Sequence, residues 1–335
     1  MSDTILAWHD LSSANTLGLP CRAEYFAAPT ALEPLRRLLG LAGTREWPLT
    51  VLGGGSNLIL PARLPGLVLQ PALHHWWLEQ KDDSVQVHVG AGVEWHALVM
   101  ALAGRGLWGI ENLALIPGSC GAAPIQNIGA YGVELCDVLE AVDVMFVEDG
   151  RCARLTAEEC AFGYRDSIFK GELEGRVVVT GLILKVSRRP TPRLAYGDLA
   201  QRVGRRPEPL EVAEAVCAIR REKLPDPAVL GNAGSFFKNP VVERHQAAAL
   251  RSSWPDMPHF ELSDGRVKLA AGWLIDRCGL KGWRVGHFAV HERQALVLVH
   301  FGGGSAEELL AFASQVAAEV EAHFGVVLER EPRLA

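Results

Sequence analysis

Two glycine-rich stretches hold the clearest chemical potential in the chain. GGGSN at 53–57 stands between apolar runs, and Gly53, Gly54, Gly55, Ser56 and Asn57 offer successive backbone N–H groups with little side chain in front of them. Such a nest holds anionic oxygens well. Glycines in a tight turn also need no ligand, so the motif alone leaves both readings open, and it is not the GxGxxG that opens a dinucleotide-binding helix. The second stretch, IPGSCGAAPIQNIGAYG at 116–132, supplies another backbone-rich surface, with Ser119, Gln126, Asn127 and Tyr131 on it. Two such loops could clasp one long cofactor.

Other chemistry-bearing residues read as structural. GGGSAEE at 302–308 lacks the GK[ST] ending of a phosphate loop and reads as a connector. His287 and His291 lack the glutamate of HExxH and fall in a strand-rich stretch, and His74-His75-Trp76-Trp77 reads as a packed or capping segment, so no metal site is expected. The seven cysteines are odd in number and never show CxxC spacing, the pattern of reduced and mostly buried thiols.

The elements that must position the loops follow from periodicity. PLTVL before GGGSN and LILPARLPGLVL after it predict strand, glycine turn and strand over 48–70. SVQVHVGAG (84–92) alternates as a strand, and EWHALVMALAGRGL (94–107) has helical spacing that ends at Gly104 and Gly106. Residues 116–132 carry Pro117 and Pro124 and little charge, which excludes a regular element, yet they are too apolar for a solvated linker; a packed, ligand-facing loop is expected. AVDVMFVE (141–148) and RVVVTGLILKV (176–186) read as strands. RRPTPRLAYGD (188–198) breaks the pattern before an amphipathic helix from Leu210 to Leu224, and a domain boundary is expected near residue 215. In the last third a helix start and strands precede a long helix whose Ser305 and Glu308 form a capping box.

Of the 335 residues, 49% are hydrophobic and 21% charged, enough apolar material for two or three domains with substantial cores. The net charge of -6, without runs of like charge, argues against a nucleic-acid partner. The N-terminal segment lacks a basic region followed by an apolar one, and no apolar stretch of about 18 residues is present to span a bilayer. A soluble, cytoplasmic protein is expected.

At the level of whole motifs, IPGSCGAAPIQNIGAYG (116–132), YRDSIFK (164–170), KLPDP (223–227) followed by GNAGSFFKNP (231–240), and KLAAGWLID (268–276) resemble the UDP-N-acetylenolpyruvoylglucosamine reductase family, MurB, with the motifs in family order from about Asn15 to Arg333. LAYGDL (194–199) resembles the tyrosine-bearing loop of the longer form of that family. The resemblance implies an α+β protein. Its two-domain FAD-binding fold of the vanillyl-alcohol-oxidase (PCMH) type would comprise residues 1–70, joined by the tail 326–335, and residues 71–215, with a C-terminal α+β substrate-binding domain over 216–325. It implies non-covalent FAD, NADPH as co-substrate and a monomer acting on UDP-N-acetylglucosamine enolpyruvate, with UDP-N-acetylmuramate as product in peptidoglycan precursor synthesis. FAD would be held by residues 53–57 with Pro117, Gly118, Ser119, Gly121, Ala122, Gln126, Asn127, Gly129, Ala130 and Tyr131.

The same resemblance assigns three catalytic positions. Ser235 would donate the proton at C2 after hydride reaches C3 of the enolpyruvyl ether; an alcohol serves because an α-carbanion is a strong base. Arg165 would face the substrate carboxylate and developing enolate, a task for a fixed charge with a planar donor fork. Glu331 would accompany Ser235, but the family pattern is broken here by Pro332, which restricts its predecessor to extended conformations, and Glu329 competes for the role. Tyr196, Lys223, Asn239 and Gln294 would bind the UDP portion, the first two on the diphosphate and the amides on sugar or uracil. Two other functions stay open at this point: another FAD oxidoreductase on the same scaffold, and a flavin or nucleotide-sugar binding protein without turnover.

Overall fold

The computed structural model describes residues 4–81 and 84–335. The chain divides into two compact units. One contains the segment ending at Asp10 together with Arg22–Gly55 and Leu64–Glu222; the other contains Leu11–Cys21, Ser56–Arg63 and Lys223–Ala335.

The first unit is built on two sheets. A four-stranded sheet runs in the order Leu6–Asp10, Arg22–Ala27, Arg63–Leu69, Leu49–Val51, and its last pair is parallel. Helix Leu32–Thr44 covers it with Leu35, Leu38, Leu39 and Ala42, the one-faced spacing of a surface helix. A five-stranded antiparallel sheet has the order Cys152–Thr156, Leu139–Phe146, Val177–Ser187, Ser84–Gly90, Trp76–Lys81. The expected strands at 84–92, 141–148 and 176–186 therefore pair as neighbours. Val177–Ser187 is central, and its residues from Val178 to Leu184 are all buried, as a strand covered on both faces requires.

Helix Trp95–Ala103 packs into the larger core of this unit. Trp95 is fully buried and its indole N–H donates to the Leu113 carbonyl at 3.0 Å, which satisfies the one polar group that burial would otherwise strand. The chain does end this helix at Gly104. Helix Pro209–Lys223 supplies Val212, Ala213, Val216, Cys217 and Ile219 to the same core.

The second unit has a four-stranded antiparallel sheet ordered Gly231–Ser235, Val297–His300, Phe288–Val290, Arg284–Val285, and a three-stranded one ordered Val241–Val242, Val267–Leu269, His259–Glu261. Helix Ala306–Phe324 buries Leu309, Phe312, Ala313, Val316 and Val320 against them. Its capping box forms as expected: Ser305 accepts from the Glu308 N–H at 3.2 Å and Glu308 from the Ser305 N–H at 2.8 Å. Gly325, at φ 62°, closes the other end in the left-handed conformation. Leu17, Leu19 and Ile59 come from far upstream to complete this core, and Arg333–Leu334 pairs in parallel with Leu58–Ile59.

Candidate active site

In the first unit the two glycine-rich loops lie directly against each other. A Cβ on Gly54 would meet the Gly118 Cα at 2.7 Å, and one on Gly53 would meet the Ser119 Oγ at 2.7 Å and the Ala122 Cβ at 3.0 Å. Close backbone approach, not turn geometry alone, is what requires glycine there. The second loop is tied down along its length. Gly118 C=O accepts from Trp95 N–H at 3.0 Å, Cys120 N–H donates to Val93 C=O at 2.8 Å, and Gly121 N–H donates to Ala91 C=O at 2.9 Å. A 3-10 turn over Cys120–Gln126 gives it more regularity than its prolines and glycines predict. The turn ends at Asn127, whose φ is 45°.

Asn127 is fully buried and all its side-chain bonds go to protein: its Nδ2 donates to Glu134 Oε2 at 2.8 Å and Gly163 C=O at 3.2 Å, and its Oδ1 accepts from Cys136 N–H at 3.0 Å. Its task is to lock the loop. Tyr131 takes φ 50° and Arg165 φ 55°. Non-glycine residues held this way cost about 1–3 kcal/mol each and gather where function requires a set geometry. Arg165 sits at the centre of a tight turn closed by reciprocal N–H to C=O bonds between Gly163 and Asp166, at 3.0 and 3.2 Å. Its Nη2 donates to the Gly129 C=O at 3.1 Å, and the Lys170 ammonium donates to the Arg165 C=O at 2.9 Å. Ser167 Oγ ties the same YRDS segment to Ile125 C=O at 2.7 Å. Arg165 is thus fixed on the glycine loop by its own backbone and by its neighbours.

Tyr196 also arrives here. Its ring meets that of Tyr131 edge to face at 5.6 Å, and it remains 56% exposed, open to a ligand. Asn112 Nδ2 bridges the two segments by donating to Tyr131 C=O at 2.9 Å and Arg193 C=O at 2.8 Å. Burial raises the Tyr131 phenol above its ordinary pKa, so it stays a neutral donor.

The residues around the loop fit FAD. The glycine cradle offers backbone donors of the kind that bind a diphosphate, and two buried polar atoms, Asn112 Oδ1 and Arg220 Nε, have no hydrogen-bond partner among the described residues. Buried orphans of this sort are rare and mark places where another group completes the set. Sequence reasoning missed Arg220; its place on an apolar helix face was the available signal.

The second unit holds the remaining assigned residues. Ser235 ends strand Gly231–Ser235, where Asn232 pairs with Val299 and Ser235 with Val297, so one extra residue bulges between them. A bulge re-aims the side chain that follows it. Gly234, at φ 69°, makes the bulge, and Asn232 braces it: its Oδ1 accepts from Gly234 N–H at 3.0 Å and its Nδ2 donates to Leu230 C=O at 2.8 Å and Pro225 C=O at 3.2 Å.

Beside this strand runs the C-terminal segment. Glu331 N–H donates to Phe236 C=O at 2.9 Å and Lys238 N–H to Glu329 C=O at 2.9 Å. Asn57 Nδ2 donates to the Glu331 C=O at 3.3 Å, which brings a residue of the GGGSN motif to the tail. The two glutamates differ sharply in setting. Glu331 is only 9% exposed, whereas the Glu329 side chain is 71% exposed and ion-paired with Lys238. Asn239 and Gln294 converge on helix Ala271–Arg277: Asn239 Oδ1 accepts from Ala271 N–H at 3.0 Å, and Gln294 Oε1 would lie 3.4 Å from a Cβ on Gly272. Lys223 ends its helix with an exposed side chain.

Comparisons with known proteins address the chain as a whole. Residues 23–156 match an FAD binding domain model, and residues 226–335 match the model for the C-terminal domain of UDP-N-acetylenolpyruvoylglucosamine reductase. A protein of that name from Chromobacterium violaceum is 50% identical over 96% of this chain and 96% of its own, and one from Pseudomonas aeruginosa is 46% identical over 97% of each. The crystal structure of the Thermus caldophilus MurB, 26% identical, superposes over 99% of this chain and 98% of its own with a TM-score of 0.67. The α+β architecture of an FAD-binding fold with a C-terminal MurB domain follows from these matches. This chain belongs to the UDP-N-acetylenolpyruvoylglucosamine reductase family.

Proposed function

We propose that this protein reduces UDP-N-acetylglucosamine enolpyruvate to UDP-N-acetylmuramate, with NADPH as reductant and FAD as carrier, in the supply of peptidoglycan precursors. The observation that carries the reading is the pairing of Phe236 with Glu331, which sets the buried glutamate beside the bulge that aims Ser235. Proton delivery to a carbanion needs this kind of held donor with a supporting carboxyl group.

Bound FAD supplies hydride transfer. The chain supplies the rest. Ser235 holds its hydroxyl proton for C2 of the enolpyruvyl group, with Glu331 as its partner, and the near-complete burial of Glu331 favours it over Glu329 for that task. Arg165, fixed by its turn and by Gly129, orients the substrate carboxylate and offsets charge that develops on it. Tyr196 and Lys223 hold the diphosphate, and Asn239 and Gln294 hold sugar or uracil. Residues 53–55 with the loop from Pro117 to Tyr131 hold the flavin nucleotide.

We place the reaction in the cytoplasm: all seven cysteines are free thiols, which suits a reducing compartment, and no helix of the described residues is long and apolar enough to cross a membrane. We expect the active form to be a monomer, which light scattering of the active fraction checks. The test of function is anaerobic stopped-flow absorbance of the purified protein. NADPH should bleach a bound yellow flavin, and the enolpyruvyl nucleotide added next should restore the colour. Colourless protein that refuses FAD, or reduced flavin indifferent to the nucleotide, overturns the proposal.

A further inference from the structure

Gln294 lies on the turn that joins strand Phe288–Val290 to strand Val297–His300, and three hydrogen bonds close that turn. His291 N–H donates to Val297 C=O at 2.9 Å, Val297 N–H donates to Gln294 C=O at 3.0 Å, and Gln294 N–H donates to the Nδ1 of His291 at 3.2 Å. The first two are backbone bonds that most residues could make. The third takes a side chain as acceptor three residues back along the chain, a place that Asn, Asp, Ser or Thr commonly fills in turns and helix caps. Here a partly buried imidazole fills it, and the ring forms no other hydrogen bond to a described residue. With both backbone groups of Gln294 held, its side chain lies over helix Ala271–Arg277. Its Oε1 would be 3.4 Å from a Cβ on Gly272, next to the Ala271 N–H that Asn239 Oδ1 accepts at 3.0 Å.

An imidazole accepts at Nδ1 only while that nitrogen carries no proton. Burial, and then the charge of Arg293, hold His291 below its ordinary pKa of 6.5, against an opposing pull from Glu292. Charged groups on the elements around the turn are engaged elsewhere. Lys281, on the segment bonded to Val290 C=O through Gly282 N–H at 3.0 Å, pairs with Asp276 at 2.6 Å, and Arg277 pairs with Asp256. Arg284 lies over the Phe301 ring, and His300 is held between Leu17 C=O and Gly304 N–H. The bond to Gln294 is therefore intact at neutral pH and is lost as pH falls through the folded-state value beneath 6.5.

We infer that His291 is a positioning residue for the nucleotide: its neutral imidazole holds Gln294 in place for sugar or uracil, and its protonation releases the turn and weakens binding. The inference rests on the proposed reaction and on the part Gln294 plays in it, and it adds a titratable support behind that amide.

The test uses the flavin-loaded, oxidised enzyme and the dissociation constant of the enolpyruvyl nucleotide, read from the change in flavin absorbance without turnover. That ligand stays fully ionised from pH 5 to 8. The variants are His291→Asn, whose side-chain oxygen can accept as Nδ1 does but does not titrate, and His291→Leu, which cannot accept. At pH 7.5 His291→Leu should bind about three- to tenfold more weakly than wild type, the worth of one neutral hydrogen bond, and His291→Asn should bind within about twofold of it. As pH falls to 5, wild type should lose affinity relative to His291→Asn by about threefold or more. His96 also titrates, and the ratio of the two proteins at each pH cancels its effect. A ratio that stays constant with pH overturns the inference, and so does a His291→Asn enzyme as weak at pH 7.5 as His291→Leu. A folded His291→Leu enzyme with wild-type affinity at pH 7.5 overturns it as well. Should His291→Leu fail to fold, the pH course of wild type against His291→Asn decides alone. Wild-type enzyme that ignores the nucleotide at every pH would instead sink the proposed function.

Discussion

A serine hydroxyl is a poor acid, and Ser235 depends on where its strand puts it. The bulge between Asn232 and Ser235, braced by the Asn232 amide, fixes that placement while the hydroxyl itself forms no bond to another described residue. Ser235→Ala should therefore slow reoxidation of the reduced flavin by the enolpyruvyl nucleotide about 10²–10⁴-fold, the usual span for a positioned proton donor, and leave flavin reduction by NADPH intact in stopped-flow traces. Equal loss of both half-reactions would give Ser235 a structural role. For the two tail glutamates, the same reasoning ranks Glu331→Gln as more damaging to turnover than Glu329→Gln, because only Glu331 is buried beside this strand. Steady-state rates of the pair decide it. The motif carrying Ser235 was legible as text, and so was the doubt over Glu331 that Pro332 raised. The setting that separates Glu331 from Glu329 was not, since it comes from a bridge between Phe237 and Arg330, which are remote in sequence. Arg220 escaped for a related reason: a helical pattern tells which way a residue faces but not whether anything waits there to pair with it.

Helices and central strands were legible because period and burial coincide in them, as in Ala306–Phe324 with its Ser305 box and in the apolar run of Val177–Ser187. The loop at 116–132 was recognisable as packed but not as a 3-10 turn, because its order comes from bonds to residues 91, 93 and 95 rather than from its own sequence. One of its anchors titrates. His96 Nδ1 accepts from the Leu115 N–H at 3.0 Å just ahead of the loop, which requires that nitrogen to be unprotonated, and burial holds the His96 pKa below its ordinary 6.5. Below that value the unfolded chain takes up a proton that the folded chain resists, so the stabilisation is complete above pH 6.5 and declines as pH falls beneath it. Thermal melts of wild type and His96→Gln should converge on acidification; a constant gap across pH 5–8 would refute the assignment. In the second unit, Ser305→Ala removes a cap and should lower stability by about 1 kcal/mol in denaturant titrations.

At the scale of the whole molecule, ligand binding and stability are linked. Apoprotein unfolded in the presence of FAD at about 100 times its dissociation constant should gain about 2.7 kcal/mol over apoprotein alone, and Gly54→Ala should erase most of that gain, because its new methyl would press on the Gly118 backbone. A denaturant midpoint unmoved by FAD in wild type would count against the cradle. Least legible of all was the way the second unit draws in Leu11–Cys21 and Ser56–Arg63. Alternation and amphipathicity report which face of an element is hidden, never which distant element hides it.

That borrowing has a consequence for how the protein is made. The parallel pairing of Leu58–Ile59 with Arg333–Leu334 joins strands that are remote in sequence, so this contact can close only after all of the chain between them has been synthesised. Until then Ile59, whose side chain ends up wholly enclosed, waits without its partners, and nascent chains are at their most vulnerable to chaperones, proteases and one another during that interval.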